Sequence, residues 1–481
     1  MRVLVFHGYM LRGTGSNIYN ANLARALARL GHEVHLLCQD REVELEGVRI
    51  HNPDIGHLLP VYVKDPYEGF EVKAFPELTE AELDHYIEAN VTAVREVAQA
   101  AGGIDAALAN HLVMGPAILA RAEVGPFAAK IHGSALEYTV KPNPRFLPYA
   151  REGMEAAAGV LVGSGHTAKS LWAALPEVAG LSEKTRLGPP GVDIGEFGPD
   201  RSVRGWRGGG GPPRRGGASS AEHRGGGRRD GARGQNGSAL IVFVGKLIVS
   251  KGADLLIAAW PLVKAEHPDA ELQIAGYGEY ETALRRLLTA LEGGDLDDAR
   301  EVARLGWALE GGAEKALSIL SAFLDDPPSG YLEAARGIAG SVEFVGRLEH
   351  DEVAELLPRA EALVMPSTFP EAFGMVAVEA AACGALPVSA GHSGMLEVSR
   401  QLAASLPADV GRLTSFPVEP GAVEAIAGRL GGWLALPEAE REDARRALVA
   451  TVGRLWSWDG VARGVLAASA GELGDLSAPD S

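Results

Sequence analysis

The feature that most constrains the fold of this chain is an alternation of short apolar runs with segments of helical periodicity. Residues 3–6 form an apolar run, and residues 17–30 then carry apolar side chains at helical spacing until Gly31 ends the helix. Residues 34–37 form the next run. Because strand–helix–strand repetition requires crossover connections, the pattern predicts an α/β fold with a parallel sheet covered by helices on both faces. Further strands are predicted in this half at residues 106–109, 128–131 and 159–162.

The second half of the chain repeats the alternation. Residues 240–244 form an apolar run, and a helix is predicted from about Asp254. Residues 284–339 show only helical periodicity, which indicates helices inserted into this half. Residues 456–470 predict one more helix, with an aromatic anchor, and residues 471–481 are expected to form a frayed tail. Further strands are predicted at residues 272–275, 342–345, 363–365 and 386–389.

A segment rich in glycine and arginine separates the two halves. We therefore predict one domain over residues 1–197, a second over residues 239–455, and a linker or surface insertion over residues 198–238. Between residues 201 and 237, nine arginines stand against two acidic residues, with almost no apolar side chain. Such a composition cannot bury enough surface to offset the entropy lost on ordering. We interpret it as a flexible, solvated segment rather than a contact site for an anionic surface.

Charge and cysteine content exclude several classes of protein. The net charge of −18 argues against a nucleic-acid binder, because phosphate contacts require a surplus of Lys and Arg. Two distant cysteines cannot build a disulfide framework or a zinc site, which suits a reducing compartment. No signal-peptide core and no run of about 18 uncharged apolar residues is found. We expect a cytoplasmic protein, and peripheral contact with a membrane stays open.

Two acidic residues follow one of the predicted strands of the second half. The strand at 363–365 leads into a loop, 367–374, and then into a helix of small residues at about 375–383. The start of such a helix offers free N–H groups and a positive dipole end to an anion such as a diphosphate. Glu371 lies in the loop and Glu379 lies one turn inside the helix. Their spacing alone is also compatible with two ordinary surface acids.

The nine residues from Glu371 to Glu379 resemble the E-x7-E motif of retaining glycosyltransferases with the GT-B fold, and the wider pattern resembles glycosyltransferase family 4. The resemblance implies two doubly wound, Rossmann-like domains that face each other across a cleft. It places Glu371 against the donor sugar near the transferred carbon, and Glu379 on the ribose hydroxyls. The backbone N–H groups of Phe373, Gly374 and Met375 would face the sugar and phosphate.

Two lysines after the first strand of the second half carry a second motif. Residues 244–252 resemble the family's G-R-L-x-x-x-K-G segment, whose two cations hold the diphosphate. Here the cations are Lys246 and Lys251. Lys246 stands where arginine is usual, so the charge remains but the bidentate fork is lost. Because these cations neutralise the leaving group, no metal and no cofactor are expected.

Residues at two strand ends of the first half complete the resemblance. His132, at the end of the strand at 128–131, resembles the family histidine that contacts the donor sugar from across the cleft. Gly15 and Ser16 belong to the loop at residues 12–16, which in the family borders the donor phosphate and the acceptor. This loop also invites a dinucleotide-binding interpretation, but the third glycine and the acidic ribose ligand are not evident.

Weaker matches support the same family resemblance. Arg347 lies in the region that approaches the nucleobase. Residues 190–193 resemble the segment that joins the domains, and residues 393–397 resemble a G-G-x-x-E stretch in which Ser393 replaces a glycine. Residues 456–459 resemble the start of the helix that crosses back to the first domain. The Asp295-Leu-Asp297 sequence mimics a metal-binding D-x-D motif, but its helical context predicts a solvated helix start.

Together the motifs predict a retaining glycosyltransferase. It would move a sugar from a nucleotide-diphosphate sugar to an acceptor hydroxyl on a glycan, a lipid or a small molecule, with UDP favoured over GDP. Two alternatives stay open at this point. One is a nucleotide-sugar epimerase on the same fold, and the other is a non-catalytic protein that binds sugar nucleotides.

Overall fold

The computed structural model describes residues 1–12, 15–62, 67–199 and 238–479. The first domain contains a seven-stranded parallel sheet and a separate two-stranded pair. The strands are β1 (Arg2–Phe6), β2 (Glu33–Leu37), β3 (Val48–His51), β4 (Leu58–Val61), β5 (Glu71–Ala74), β6 (Ala106–Asn110), β7 (Phe127–Ile131), β8 (Gly159–Val162) and β9 (Thr185–Leu187). The large sheet has the order β3-β2-β1-β6-β7-β8-β9, and β4 pairs with β5. The helices are α1 (Gly15–Arg29), α2 (Glu80–Ala100), α3 (Gly115–Ala122), α4 (Leu147–Ala156) and α5 (Gly165–Ala174).

The second domain repeats this plan with six parallel strands. They are β10 (Leu240–Val244), β11 (Glu271–Ala275), β12 (Val342–Gly346), β13 (Ala362–Met365), β14 (Leu386–Ala390) and β15 (Ser415–Phe416), in the order β12-β11-β10-β13-β14-β15. The helices are α6 (Ala253–Glu266), α7 (Glu281–Gly293), α8 (Leu296–Leu305), α9 (Ser318–Asp325), α10 (Tyr331–Arg336), α11 (His350–Leu356), α12 (Met375–Ala382), α13 (Ser393–Ala403), α14 (Ala408–Gly411), α15 (Ala422–Leu434), α16 (Glu438–Leu455) and α17 (Trp458–Ala470).

Each sheet has its topological switch point beside its first strand. The chain leaves β1 toward β2 on one side and returns to β6 on the other, and β10 lies likewise between β11 and β13. Open parallel sheets bind ligands at the carboxyl ends of such strands. The fold therefore directs attention to the loops after β1, β6, β10 and β13.

Every predicted strand is present, with its ends within one residue of the prediction. Continuous apolar runs made them recognisable, because strands covered by helices on both faces are buried throughout. The sequence analysis missed the short edge strands β3, β9 and β15 and the β4–β5 pair. In β3 every side chain is at least partly exposed, so the strand has no apolar run to detect. Helix α1 begins at Gly15, two residues before the predicted start.

The final helix returns to the first domain, where Trp458 and Val465 belong to its core. The prediction of a frayed tail beyond residue 470 was wrong for the described part, residues 471–479. The N–H of Leu187, in the edge strand β9, donates to the Ser477 carbonyl at 2.7 Å, and Arg186 Nε donates to the Leu473 carbonyl. The tail thus follows an open strand edge that would otherwise leave backbone groups unpaired.

The predicted helical insertion is observed as α7 to α10. Asp295 caps α8 by accepting a hydrogen bond from the Asp298 N–H, which confirms the predicted helix start. The glycine- and arginine-rich stretch at 201–237 lies outside the described residues. Among the residues described, no helix combines the length and the apolar character needed to cross a membrane.

Candidate active site

A cavity of 860 Å³ lies between the two domains and is lined by residues of both. The loops at the carboxyl ends of β1, β6, β7, β10 and β13 contribute to its walls, as expected for switch points. The structure brings all but one of the sequence-predicted site residues to this cavity, the exception being Glu379. The predicted residues that line it are Gly15, Ser16, His132, Lys246, Lys251, Arg347, Glu371, Phe373, Gly374 and Met375.

Glu371 lies in the loop between β13 and α12, directly before the helix. Gly374 has a φ of 100°, a backbone conformation that side chains with a Cβ atom rarely adopt, and α12 begins at the next residue. The Glu371 carboxylate forms an ion pair with Lys251 Nζ. The carboxylate predicted to face the sugar and the cation predicted to hold the diphosphate are therefore partners of each other.

Ser393 holds the backbone of Glu371 in place. The Glu371 N–H donates to Ser393 Oγ at 2.9 Å. His392 contacts both loops, because its Nε2 lies 2.9 Å from the Ser367 carbonyl oxygen and its Nδ1 lies 3.1 Å from Ser393 Oγ. Ser393 itself has a left-handed φ of 52°. The residue that replaces the family glycine thus keeps a glycine-like backbone and adds a hydroxyl to it.

The loop after β10 carries both predicted cations. At Gly252, where φ is 68°, an added Cβ would lie 2.0 Å from the Pro366 carbonyl oxygen, so only glycine fits. This close approach brings Lys251 beside the loop that follows β13. The helical insertion also supports the loop, because Glu310 Oε2 accepts a hydrogen bond from the Val249 N–H at 2.7 Å.

Glu379 does not line the cavity. It is 4% exposed, and its Oε1 lies 3.1 Å from His350 Nε2. The His350 ring also packs on Phe197 and lies 4.0 Å from Glu196. Burial acts against a charge on His350, but the hydrogen bond to Glu379 and the attraction of both carboxylates outweigh it and raise the pKa of the imidazole. Ribose binding by Glu379 stays a prediction.

Arg347 lines the cavity at the end nearest β12. Its guanidinium lies 5.1 Å from the ring centroid of Tyr277 and 3.1 Å from Glu349. Tyr277 is 38% exposed and also lines the cavity. A cation stacked on a partly exposed ring offers a planar surface, which is what a nucleobase would need.

A buried network of hydrogen bonds holds His132 on the opposite wall. His132 Nε2 lies 2.8 Å from Asn110 Oδ1, and Asn110 Nδ2 donates to Asn20 Oδ1 and to the Phe6 carbonyl. Because an amide oxygen only accepts, Nε2 carries the hydrogen and Nδ1 is left as an acceptor. Burial, reinforced by the neighbouring His111, lowers the pKa of His132 well below its ordinary value, so the ring is neutral.

Lys130 is a buried cation that the sequence analysis did not single out. It is 2% exposed, lines the cavity, and donates from Nζ to the Gly188 carbonyl at 2.5 Å. Its ammonium group lies 5.5 Å from the ring centroid of Tyr19. Burial lowers the pKa of Lys130 to about 7.

His111 is a second such residue, directly after β6. It lines the cavity but is only 2% exposed, and its backbone has a left-handed φ of 68°. Neither Nδ1 nor Nε2 has a hydrogen-bond partner among the described residues. Burial lowers the pKa of His111 well below its ordinary value, and so does the nearby His7.

A polar contact and an aromatic contact join the domains near the cavity. The Glu397 carboxylate, in the second domain, accepts hydrogen bonds from the N–H groups of Gly165 and His166, at 2.8 and 3.0 Å. These N–H groups are at the start of α5 in the first domain, where a carboxylate also complements the helix dipole. At the cavity wall, Tyr138 and Phe369 stack with ring centroids 6.0 Å apart.

Sequence reasoning missed most of the first-domain wall. Tyr9, Tyr62 and Tyr67 line the cavity beside His111. The available signal was position, because His111 lies two residues after a predicted strand and His132 directly follows another. In the glycine loop at residues 12–16, Gly15 and Ser16 line the cavity, while Gly13 and Thr14 lie outside the described residues.

Two family models match the chain. The model of Glycosyltransferase Family 4 matches residues 13–196, and the model of Glycosyl transferases group 1 matches residues 229–295 and 331–449. The break in the second match, residues 296–330, falls on α8 and α9, within the helical insertion. The two matches thus correspond to the two domains.

Curated relatives and solved structures agree with these matches. A D-inositol 3-phosphate glycosyltransferase of Jonesia denitrificans is 24% identical over 392 residues, covering 78% of this chain and 74% of the relative. A GDP-mannose-dependent monoacylated alpha-(1-6)-phosphatidylinositol monomannoside mannosyltransferase of Corynebacterium glutamicum is 28% identical over 225 residues, covering 44% of this chain and 42% of the relative, less than half of its length. The sucrose-phosphate synthase of Thermosynechococcus elongatus has a similar fold, with a TM-score of 0.58 at 18% identity over 96% of this chain and 97% of that one.

Proposed function

Since this chain belongs to family 4 of the glycosyltransferases with the GT-B fold, we propose that it transfers a sugar from a nucleotide-diphosphate sugar to an acceptor hydroxyl with retention of the anomeric configuration. One observation carries the proposal. Glu371, Lys246, Lys251 and the start of α12 share a single cavity with His132 from the other domain. This arrangement can bind an anion on one side of a sugar ring and presents neutral polar side chains on the other side.

The donor diphosphate would bind on the second-domain wall. Lys246 and Lys251 supply two positive charges, and the first residues of α12, Met375 and Val376, line the same cavity, so their N–H groups could bind an anion there. As the diphosphate approaches, its oxygens would compete with Glu371 for Lys251. The Glu371 carboxylate would then be released to accept hydrogen bonds from hydroxyls of the donor sugar.

Transfer would occur on the face of the sugar from which the diphosphate leaves. The acceptor oxygen forms a bond to the anomeric carbon while the bond from that carbon to the diphosphate oxygen breaks, with its electron pair going to the diphosphate. The leaving diphosphate takes the proton of the acceptor hydroxyl. Both lysines and the helix start would stabilise the charge that develops on the leaving group, so the proposed reaction needs no metal ion.

Glu371 and His132 would orient the sugar rather than form a bond to it. Glu371 is held by Lys251 at its carboxylate and by Ser393 at its backbone. His132 is neutral and is fixed by Asn110. A fixed carboxylate and a fixed imidazole on opposite walls would orient the sugar so that the acceptor hydroxyl meets the anomeric carbon on the face from which the diphosphate leaves.

We propose a UDP-sugar first and a GDP-sugar second. Tyr277 and Arg347 offer a surface for either base. The relative from Corynebacterium glutamicum depends on GDP-mannose, so both donor series belong in the test.

The test combines binding with turnover. Thermal unfolding is measured with UDP, GDP and ADP, because a ligand of the folded state raises its apparent stability. UDP- and GDP-hexoses are then incubated with hydroxylated acceptors, with and without EDTA. The proposal predicts nucleotide release that needs an acceptor and resists EDTA, and an α-linked product from an α-linked donor. A product of inverted configuration contradicts retention, and loss of activity in EDTA contradicts metal independence. Formation of an epimerised sugar favours the epimerase alternative. Binding of the nucleotide without turnover favours the non-catalytic alternative.

A further inference from the structure

The helical insertion of the second domain reaches the loop that carries the two lysines. Glu310 ends a short 3₁₀ turn, Trp307–Glu310, between α8 and α9, and its Oε2 accepts a hydrogen bond from the Val249 N–H at 2.7 Å. Residues 296–330 lie outside the family match, whereas Val249 lies inside it. The contact thus joins a segment beyond the family match to a loop that the match includes.

Val249 begins the turn that ends at Lys251. The turn spans Val249–Lys251, and the Lys251 N–H donates to the Ile248 carbonyl at 3.0 Å. Ile248 and Lys251 line the cavity, while Val249, which is 2% exposed, and Glu310 do not. Glu310 therefore contacts the turn from outside the cavity.

The neighbouring residues of this loop are held by other parts of the second domain. The Leu247 N–H donates to the Tyr277 carbonyl at 2.8 Å, and the Ser250 carbonyl accepts from the Thr368 N–H at 2.9 Å. Tyr277 and Thr368 both lie within the family match. At Val249, between these two hydrogen bonds, the acceptor comes from the insertion instead. The insertion thus fixes the part of the loop from which Lys251 follows.

The position of Glu310 is itself set by a closed loop. Gly306 pairs with Lys315 in a parallel bridge, and the Trp307 N–H donates to the Lys315 carbonyl at 3.1 Å. At Gly306, where φ is 49°, an added Cβ would lie 2.1 Å from the Lys315 carbonyl oxygen. Trp307 and Leu309 pack against the core of the second domain. Packing on both sides of the loop therefore fixes the place from which the Glu310 carboxylate acts.

The charge of Glu310 limits how this residue can assist the binding of a diphosphate. A carboxylate close to an anion-binding loop repels the anion, so its charge opposes binding. The hydrogen bond to the Val249 N–H acts in the other direction, because it fixes the backbone before the anion arrives. A favourable effect of Glu310 must therefore come from its acceptor oxygen.

We propose that the helical insertion serves the donor site, with Glu310 as a positioning residue that fixes the turn Val249–Lys251 so that Lys251 meets the donor diphosphate. This inference rests on the proposed function and adds a residue to its donor site.

The experiment measures the Kd of diphosphates for the full chain by titration calorimetry. The probes are UDP, GDP, ADP and inorganic pyrophosphate. Glu310→Ala should raise the Kd of the diphosphates that bind about tenfold, as expected for the loss of one hydrogen bond. Glu310→Asp keeps the charge but shortens the side chain, so it should raise the Kd about three- to tenfold. Glu310→Gln keeps an acceptor oxygen without the charge and should bind at least as tightly as the parent.

Glu314→Ala is the matched control. Glu314 belongs to the same insertion, but its carboxylate pairs with Arg304 and is 60% exposed. The substitution should leave the Kd within about twofold of that of the parent, even if it lowers the thermal stability.

A double substitution separates positioning from a general structural role. If Glu310 acts through Lys251, its removal matters little once the charge of Lys251 is absent. In the Lys251→Met background, Glu310→Ala should therefore change the Kd by less than about threefold. A general structural role gives the same factor in both backgrounds.

Several results would overturn the inference. They are an unchanged Kd in folded Glu310→Ala, an equal rise in Glu310→Ala and Glu314→Ala, and equal factors with and without the charge of Lys251. A loss in Glu310→Gln as large as that in Glu310→Ala also overturns it, because the acceptor oxygen is then not the cause. If Glu310→Ala does not fold, Glu310→Asp decides, and a Kd within about twofold of that of the parent contradicts positioning.

Failure of the proposed function gives a different result, because this experiment measures binding rather than transfer. A chain that binds a nucleoside diphosphate, loses affinity in Glu310→Ala and transfers no sugar contradicts the proposed function and supports the inference. Transfer by the parent with an unchanged Kd in Glu310→Ala does the reverse. Absence of binding for all four probes overturns both.

Discussion

The two walls of the cavity are made of different chemistry. On the second-domain wall, Lys251 and Glu371 carry opposite charges and keep 30% and 21% of their side-chain surface exposed. On the first-domain wall, His111 and His132 are neutral because burial lowers the pKa of each. These four residues show that the fold places an ion pair on one wall and neutral imidazoles on the other, although Lys130 and Glu137 also line the first-domain side. In the proposed reaction, charge develops on the leaving diphosphate, whereas the acceptor arrives as an uncharged alcohol.

The largest expected effect is on Glu371. Glu371→Ala should lower kcat by at least about a hundredfold, because the donor sugar loses its orienting carboxylate. Nucleotide affinity should survive or increase, since Lys251 loses its competing partner. Kinetics and calorimetry with the nucleotide diphosphate measure the two effects separately. Full activity in this variant would show that Glu371 has no role in the active site.

A second prediction concerns the role of charge on the same wall. Lys251→Met keeps the length of the side chain without its charge and should weaken nucleotide binding about 10- to 100-fold, as expected for a hydrogen bond to a charged group. Lys246→Arg is the matched variant, because it keeps the charge and restores the usual family residue. It should bind at least as tightly as the parent in the same calorimetric titration. Equal losses in both variants would contradict a role based on charge.

A third prediction concerns the dependence of stability on pH. The folded pKa of Lys130 is about 7, below the value of about 10.4 expected in the unfolded chain. Between these values the unfolded state binds more protons, so Lys130 makes stability rise with pH in this window, by up to about 1.4 kcal/mol per unit. Below pH 7 the penalty for the buried charge is fully present.

Lys130→Met should therefore remove this rise. The free energy of unfolding of parent and variant is measured by denaturant titration from pH 6 to pH 9. We expect the variant to have its largest relative stability at pH 6, and this advantage to shrink by up to about 1.4 kcal/mol per pH unit between pH 7 and pH 9. A difference that does not depend on pH would show that Lys130 is charged in both states.

The smallest expected effect is on Ser393. Ser393→Ala removes the hydrogen bond to the Glu371 backbone and should lower kcat about three- to tenfold with little change in nucleotide affinity. Ser393→Gly removes the same bond but relieves the left-handed backbone, so it should be the more stable of the two variants. If Ser393→Gly matches the parent in kcat, the hydroxyl does not position Glu371.

The two walls also differ in how far the sequence predicted them. Glu371, Lys246 and Lys251 could be singled out from the sequence, since charged residues after a buried strand are conspicuous, and all three line the cavity. Motif spacing does not predict tertiary partners, and the E-x7-E pattern gave no sign that a histidine lies against the Glu379 carboxylate. Sequence motifs could not identify His111, because the chemistry of this neutral side chain depends on its burial and on its neighbours in the fold. The path of the tail along β9 depends on a free strand edge that was itself not predicted.

The separation of the two walls is the central claim, and a crystal structure with the bound nucleotide diphosphate tests it most directly. The account predicts diphosphate oxygens against Lys246, Lys251 and the first N–H groups of α12, with the Glu371–Lys251 ion pair opened. A diphosphate bound on the wall of His111, with the Glu371–Lys251 pair intact, would contradict it.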